Sequence, residues 1–324
     1  MILPCRNLKA SAIIKTLCLV IAWQINPLFL LLSKAQMEDQ EKPSVIRVAF
    51  TKGMFFDKHP NDAKAAIKVW TESVADAKNI NAIADPRIFD DFDHLQEAFG
   101  KAEVDLVALR IDEYFNLSLT KPLEFIYLGY RNGQPEDSAL LLCQQSISNI
   151  AQLQNGRLNI YAHASSGMSL RWLNTILLEN SLSESDRFFS DIKEVTKTSQ
   201  AILPVFFGNK EACLVTEDAF NAMVELNPQI GKKLKILLRS PEFVSAVMFL
   251  HPSYNPPYKE DILEALDTLH LNAKGQQVLM LFKTDRLVRC QDRDLQQTKD
   301  IFNRYFDAKR KMSARGFNGN LWSK

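Results

Sequence analysis

The chain is poor in the residues on which several common functions depend. Its 324 residues include eleven glycines, five histidines and five cysteines. The glycines form neither a phosphate-binding loop nor a dinucleotide-binding fingerprint, and the histidines show none of the spacings of a metal site. These absences speak against nucleotide hydrolysis, and we expect no metal and no cofactor.

An excess of charge of one sign is also missing. The 39 basic and 38 acidic residues leave a formal net charge of +1. A nucleic-acid-binding protein would concentrate positive charge on one face or segment. We therefore expect no nucleic acid partner, and any charged ligand must be bound by local groups.

The cysteines are too few for a disulfide-stapled scaffold. Beyond the N-terminal segment only Cys143, Cys213 and Cys290 remain, an odd number that allows at most one intramolecular bridge. The first two lie inside apolar, strand-like runs. They are expected to be buried as small apolar side chains.

The N-terminal segment has the layout of a secretory signal. Arg6, Lys9 and Lys15 precede an apolar run over residues 17–32, which Ser33, Lys34 and Ala35 follow. An uncleaved membrane anchor is the alternative, but polar residues and a proline interrupt the run before it reaches the roughly 20 apolar residues that a span needs. We expect cleavage after Ala35 and export of a soluble protein.

The rest of the chain alternates apolar, strand-like runs with helical stripes. VIRVAF and VDLVAL are typical of buried strands, and the segment that starts at Ser166 has the apolar period of a helix. Such alternation predicts βαβ units and parallel sheets. The predicted parts are a signal peptide over 1–35, a flexible leader over 36–43, lobe 1 over 44–135, lobe 2 over 136–243, a return to lobe 1 with C-terminal helices over 244–311, and a disordered tail over 312–324.

Three segments stand in the order and spacing of one protein family. They are HLQEAFGKAEVDLVALRIDEYFNL from His94, HASSGMSLRWLNTILLENSL from His163, and FFGNKEACLVTEDAFNAM from Phe206, which LKILLRSP follows. Together they resemble the phosphate-, phosphite- and phosphonate-binding proteins of ABC importers. No single segment is strongly specific, whereas their order is.

The resemblance implies an α/β protein with the two-lobed type II periplasmic-binding fold. Each lobe would be a mostly parallel sheet flanked by helices, and the first lobe would be discontinuous in sequence. The implied function is binding of a small anionic ligand, a phosphonate- or phosphate-like oxyanion, between the lobes. Such a receptor is a monomer without enzymatic activity. Its partner is an ABC permease or, alternatively, the periplasmic domain of a sensor kinase.

Helix starts in the second lobe carry the first candidate ligand-binding residues. Ligands of α/β sheets bind outside the carboxyl ends of the strands, where helix N-termini offer free N–H groups. Ordinary helix capping explains the serines and threonines equally simply, and an acidic residue at a helix start stabilises the helix by itself. The candidates are Ser165, Ser166, Gly167, Thr198, Ser199, Thr216 and Glu217.

The first lobe supplies three further candidates. Arg110 follows the strand VDLVAL and can make a charge-assisted contact to an oxyanion. Tyr114 matches an aromatic residue of the family's segment, and Phe55 would wall the cleft. The alternatives are a surface salt bridge for the arginine and core packing for the two rings.

A secreted serine hydrolase is the rival interpretation. Ser166 would be its nucleophile, His163 or His251 its base, and Asp218 its acid. A nucleophile elbow requires glycine two residues before and after the serine, and neither position has one. The receptor interpretation is therefore preferred.

Overall fold

Strands and helices alternate through most of the chain, as the sequence pattern predicts. A computed structural model describes residues 42–55 and 59–319, and the predicted signal peptide lies outside the described residues. The strands are β1 Ser44–Thr51, β2 Ala82–Phe89, β3 Leu106–Arg110, β4 Ile126–Tyr130, β5 Glu136–Asp137, β6 Ala139–Gln144, β7 Arg157–Tyr161, β8 Asp191–Val195, β9 Ala212–Thr216, β10 Leu234–Arg239, β11 Phe243–Val244, β12 Ala246–Leu250 and β13 Arg286–Cys290.

The α-helices flank these strands, and none of them within the described ranges is long and apolar enough to cross a membrane. They are α1 Pro60–Ala77, α2 Phe92–Gly100, α3 Ile111–Tyr114, α4 Ser166–Glu179, α5 Ser185–Phe188, α6 Thr198–Phe206, α7 Glu217–Leu226, α8 Pro228–Lys233, α9 Lys259–Asp267, α10 Ala273–Leu281 and α11 Gln296–Gly319.

The strands form two main sheets. The six-stranded sheet has the order β13-β4-β12-β3-β1-β2, and the five-stranded sheet has the order β10-β6-β9-β7-β8. The short strands β5 and β11 pair antiparallel with each other. They lie where the chain passes from one sheet to the other and back, so the six-stranded sheet is built from two separate stretches of sequence. The exact lobe boundaries stay a prediction.

The expectation of mostly parallel sheets needs a correction. The β1–β2 and β1–β3 pairs are parallel, as are β7–β8 and β7–β9, but the remaining pairs of both sheets are antiparallel. The reason is topological: β6 and β12 arrive from the other sheet instead of through a helical crossover. Each inserts between strands of the opposite direction, and both sheets are therefore mixed.

Two features of the C-terminal part differ from the sequence pattern. The strand β13 falls where only helices are predicted, because five residues are too few to show a strand period. Helix α11 continues to Gly319, into the segment 312–324 that is predicted to be a disordered tail. Extending a formed helix costs little compared with starting one, so it needs no further apolar stripe.

One buried apolar cluster includes residues of both sheets. Val107 and Leu109 come from the six-stranded sheet, Leu158 and Leu214 from the five-stranded sheet, and Trp172 from α4. The face of the six-stranded sheet that points away from this cluster packs against α1, α9 and α10 in a second cluster. The first cluster therefore holds the two sheets together on one side of the molecule.

Helix α11 fixes the position of α4. The guanidinium of Arg171 lies 4.2 Å from the ring centroid of Phe302 and 5.0 Å from that of Tyr305, a cation–π arrangement. At the end of α4, Arg304 Nε donates to Glu179 at 2.7 Å. The N-terminus of α4, where the sequence predicts ligand contacts, is thereby held on a rigid support.

A polar network joins β1 to the residues next to β3 and β12 in the six-stranded sheet. The buried carboxylate of Asp105 accepts from the backbone N–H of Arg47 at 2.8 Å and pairs with the guanidinium at 2.5 Å. His251 Nε2 lies 3.1 Å from the carbonyl oxygen of Phe99, and the Ser253 N–H lies 3.2 Å from His251 Nδ1. A carbonyl only accepts and an N–H only donates, so the Nε2 atom of His251 carries the proton. The neutral ring then makes both hydrogen bonds.

His251 should make the stability of the protein depend on pH. Burial lowers the pKa of His251 below its ordinary value of 6.5, so the unfolded chain binds this proton more readily than the folded chain. The free energy of unfolding should then fall as the pH drops below about 6.5. Urea denaturation at pH 7.5 and pH 5.5 measures the change, and His251→Gln should reduce it. An equal fall in both proteins would contradict this expectation.

Candidate functional site

A cavity of about 240 Å³ opens between the two sheets beside the crossing strands β5 and β11. It takes side chains from the end of β4, from β5, from the segment after β7, from the start of α7 and from the turn after α10. Charged and polar groups therefore gather at its mouth. They include Arg131, Glu136, Asp137, His163, Asp218 and Lys283.

The inner part of the cavity is apolar. It runs between the face of the six-stranded sheet that belongs to the second cluster and the helix α10. Residues with side chains on this face alternate along each strand with residues that face the first cluster. The inner wall includes Met54, Ala108, Tyr127, Met248, Val278 and Leu279.

Lys283 reaches across the mouth of the cavity. Its ammonium donates to the Tyr161 hydroxyl at 3.1 Å, which links the turn after α10 to β7 of the five-stranded sheet. Helix α10 ends with two backbone bonds, from Lys283 to Met280 and from Thr284 to Leu279. Lys283 has a φ of 52° there, a left-handed conformation that favours glycine. The chain thus accepts backbone strain at the position that brings a cation to the cleft.

Carboxylates line the same cavity as this lysine. Arg131 Nε lies 3.8 Å from Asp218 Oδ2, a contact between the chain just after β4 and the start of α7. Burial, with a smaller contribution from Asp218, raises the pKa of Asp137, and burial together with Glu242 raises that of Glu136. The mouth therefore combines two cationic side chains with three carboxylates, two of which have a raised pKa.

The predicted anion site at the start of α4 is filled by a side chain of the protein itself. Ser165 and Ser166 are buried, and the Asp112 carboxylate lies directly against Gly167, where a Cβ would stand 2.7 Å from Asp112 Cγ. A negative group at a helix N-terminus is stabilising. In this conformation Asp112 takes the place that the sequence suggests for a bound oxyanion.

Arg110 is committed to carboxylates of its own segment. Its Nη2 atom lies 3.2 Å from Glu113 Oε1 and 3.5 Å from Asp112 Oδ2. Glu113 also accepts from the Thr51 hydroxyl at 2.9 Å, which ties the end of β1 to this group. Arg110 Nε and Asp112 Oδ1 are buried without a hydrogen-bond partner among the described residues. The cluster is compact but not fully satisfied.

The two predicted aromatic residues belong to the core. Tyr114 is buried and donates to Asp292 Oδ1 at 3.0 Å. Phe55 packs against Phe50 at 5.4 Å and against Phe282 at 5.6 Å between ring centroids. Since Phe282 lines the cavity, Phe55 supports the wall from behind.

The remaining predictions in the second lobe fall at helix starts, as expected. The Thr216 hydroxyl caps α7 by accepting from the Ala219 N–H at 3.2 Å, and Glu217 forms an ion pair with Arg239. Thr198 and Ser199 are half-buried in the first turn of α6. The predicted residues themselves do not line the cavity, although their neighbours Ala164 and Asp218 do.

The triad of the hydrolase interpretation is not assembled on Ser166. His163 Nδ1 lies 3.1 Å from the hydroxyl of Ser165, and the carbonyl of His163 accepts from the Ser166 N–H. His251 belongs to the network around Asp105 instead. Within residues 42–55 and 59–319, no group of histidine, cysteine and acidic side chains could hold a metal ion.

Comparison with known proteins identifies the family. The family model of the phosphonate ABC transporter, periplasmic substrate-binding protein, matches residues 53–295. The chain belongs to this family. Among curated protein sequences, none matches it closely enough to count as a relative.

Solved structures share the fold of this periplasmic substrate-binding protein. A Xanthomonas citri protein bound to chloride ion has a TM-score of 0.61 and 13% identity, with 82% of this chain and 99% of that chain covered. A phosphonate-transporter binding protein from Pseudomonas aeruginosa has a TM-score of 0.59 and 11% identity, with coverages of 83% and 89%. PhnD1 from Prochlorococcus marinus in complex with methylphosphonate has a TM-score of 0.55 and 15% identity, with 80% of this chain and 97% of that chain covered. The predicted type II fold is confirmed.

Sequence reasoning about this binding protein missed most of the cavity lining. Lys283 follows a helix end without any motif, and Arg131 and Asp137 lie in a connector that is merely polar. His163 and Asp218 were predicted only as members of a hydrolase triad. The one indication in the sequence was the pair of segments that cross between the sheets, because residues beside such a crossing lie near the cleft.

Removing the charge of Asp112 should destabilise the ligand-free protein. A carboxylate at a partly buried helix N-terminus contributes about 0.3–2 kcal/mol. Asp112→Asn should lower the free energy of unfolding within that range, as measured by urea denaturation. Asp90→Asn is the control, because Asp90 is exposed and lies 3.9 Å from Lys52; its effect should stay within about 0.5 kcal/mol. Equal effects of the two substitutions would refute the helix–carboxylate interaction.

Proposed function

We propose that this binding protein holds a small oxyanion in the cavity between its two sheets, with Lys283 and Arg131 as its cationic contacts. The observation that carries the proposal is the position of Lys283, which spans the mouth and contacts the opposite sheet through Tyr161 at 3.1 Å. An oxyanion at the mouth could accept from this ammonium, and a charge-assisted bond is stronger than a neutral one.

The carboxylates of the mouth limit which anions fit. Glu136, Asp137 and Asp218 would repel a ligand whose polar surface only accepts hydrogen bonds. A ligand that carries a donor, such as an amine or a hydroxyl, next to its oxyanion would satisfy both signs of charge. The raised pKa values of Asp137 and Glu136 support this proposal, because carboxyl groups deprived of water gain most from a donor.

The candidate residues at the start of α4 offer a second seat for the anion. Ser165, Ser166 and Gly167, with Arg110 opposite, would bind it if Asp112 moved away. Thr198, Ser199, Thr216 and Glu217 would then line the same cleft, with Tyr114 and Phe55 behind it. The cavity is the preferred seat because it is open while Asp112 covers α4.

Family membership supports a proposal for the role in the cell. We propose that the chain acts in the periplasm after removal of residues 1–35, binds its ligand without converting it chemically, and delivers it to an ABC permease as a monomer. Delivery of a signal to a sensor kinase stays the alternative use. Turnover of an activated ester that Ser166→Ala abolishes would favour the hydrolase instead.

Thermal unfolding with phosphate, phosphite, methylphosphonate, 2-aminoethylphosphonate, sulfonates and carboxylates tests the binding proposal. A ligand present at about one hundred times its Kd stabilises a protein by about 2.7 kcal/mol, which corresponds to a shift of several degrees. We expect a shift with at least one phosphorus oxyanion, and a larger one when the compound carries an amine. No shift with any compound would contradict anion binding.

Two sets of substitutions distinguish binding in the cavity from binding at the start of α4. Lys283→Asn removes the cation, and asparagine tolerates the left-handed backbone at this position. It should abolish the shift, whereas Lys232→Asn, an exposed change in α8, should leave it intact. Loss of the shift in Arg110→Ala and Ser166→Ala together with its survival in Lys283→Asn would move the anion to the start of α4.

A further inference from the structure

We propose that the ligand is an amphiphile, an oxyanion that carries an apolar tail, and that the tail lies between the six-stranded sheet and α10. This inference deepens the proposed function, since it concerns the inner part of the same cavity. It rests on the lining of that inner part and on the size of the whole cavity.

The lining is apolar on both sides. From the sheet, Ala108 and Met248 lie on paired positions of β3 and β12, and Ala246 is two residues from Met248 on the same face. From the helix, Val278 and Leu279 complete the wall. These side chains offer no hydrogen bond to an inserted group, so burial there is favourable only for apolar groups. The small alanines leave the space that larger residues would fill.

The cavity is larger than a bare phosphonate head needs. Its volume is about 240 Å³, whereas an apolar protein cavity of roughly 150 Å³ already accepts benzene. A ligand with a methyl group alone would leave most of the apolar wall without contacts. A chain of several methylenes would occupy that space and exclude water from it.

The geometry also orients the ligand. Leu281 and Phe282 line the cavity immediately before Lys283 in the same turn, so the cation stands at the border between the apolar and the polar wall. A head group bound to Lys283 therefore directs its tail inward along α10. The opposite orientation would bury the charge among Val278, Leu279 and Met248.

Alkylphosphonates of increasing chain length test the proposal on the unmodified protein by calorimetry. Each added methylene should tighten binding about fourfold, the equivalent of about 0.8 kcal/mol. Butylphosphonate should therefore bind roughly 60-fold more tightly than methylphosphonate, and the gain should stop once the cavity is full. Methylphosphonate binding with no dependence on chain length would overturn the tail pocket and leave the proposed function intact.

A substitution inside the pocket provides a second test. Ala246→Leu should weaken butylphosphonate at least tenfold more than methylphosphonate, because it fills the tail space. Ala66→Leu is the matched control, a half-buried alanine of α1 outside the lining, and should keep the dependence on chain length. Equal chain-length dependence in the wild type and Ala246→Leu would place the tail elsewhere and refute the assignment.

Octanol and octyltrimethylammonium separate this inference from the proposed function. Binding of either one, without binding of any phosphonate, would support the apolar pocket and refute the anion site. Failure of every octyl compound, octylphosphonate included, would refute the pocket whatever the head group.

Discussion

Apolar side chains from both sheets and from α4 and α11 pack into a single buried cluster. Separating the sheets along this side would expose that apolar surface to water, at a free-energy cost of about 25 cal/mol per Å². The cluster therefore holds the two sheets together, and the cavity between them lies beside β5 and β11. The cavity avoids this cluster. Its inner part extends over the opposite face of the six-stranded sheet.

The same packing brings the start of α4 against α3. Helix N-termini attract negative groups, and here the attracted group is Asp112 of the same chain. Any external anion at this helix must compete with a carboxylate that is already in position. The unsatisfied atoms Arg110 Nε and Asp112 Oδ1 show that this internal arrangement is imperfect, which is the condition under which such a contact can be exchanged.

The cavity mouth carries charge of both signs. Lys283 and Arg131 face Glu136, Asp137 and Asp218, and behind them the wall is apolar. Specificity in such a site depends on matching three features of a ligand at once. In the proposed site, a compound that contacts only the cations would leave these half-buried carboxylates without a donor from the ligand, which would cost binding free energy.

The sequence alone determined the α/β class, the helix that starts at Ser166 and most of the strands, because these depend on local periodicity and on residues close in the chain. It also indicated the family through the order of three segments. It did not reveal β13, the antiparallel insertion of β6 and β12, or the helix through Gly319.

The position of the candidate site was decided by tertiary structure. The predicted Ser165, Ser166 and Gly167 do start a helix, but whether that helix end is open depends on Asp112, which is more than fifty residues away in the chain. Lys283, Tyr161 and Asp137 come together only because the chain crosses twice between the sheets. Local patterns record which residues can cap a helix or form a strand, whereas the packing of distant segments determines which of them face the cleft.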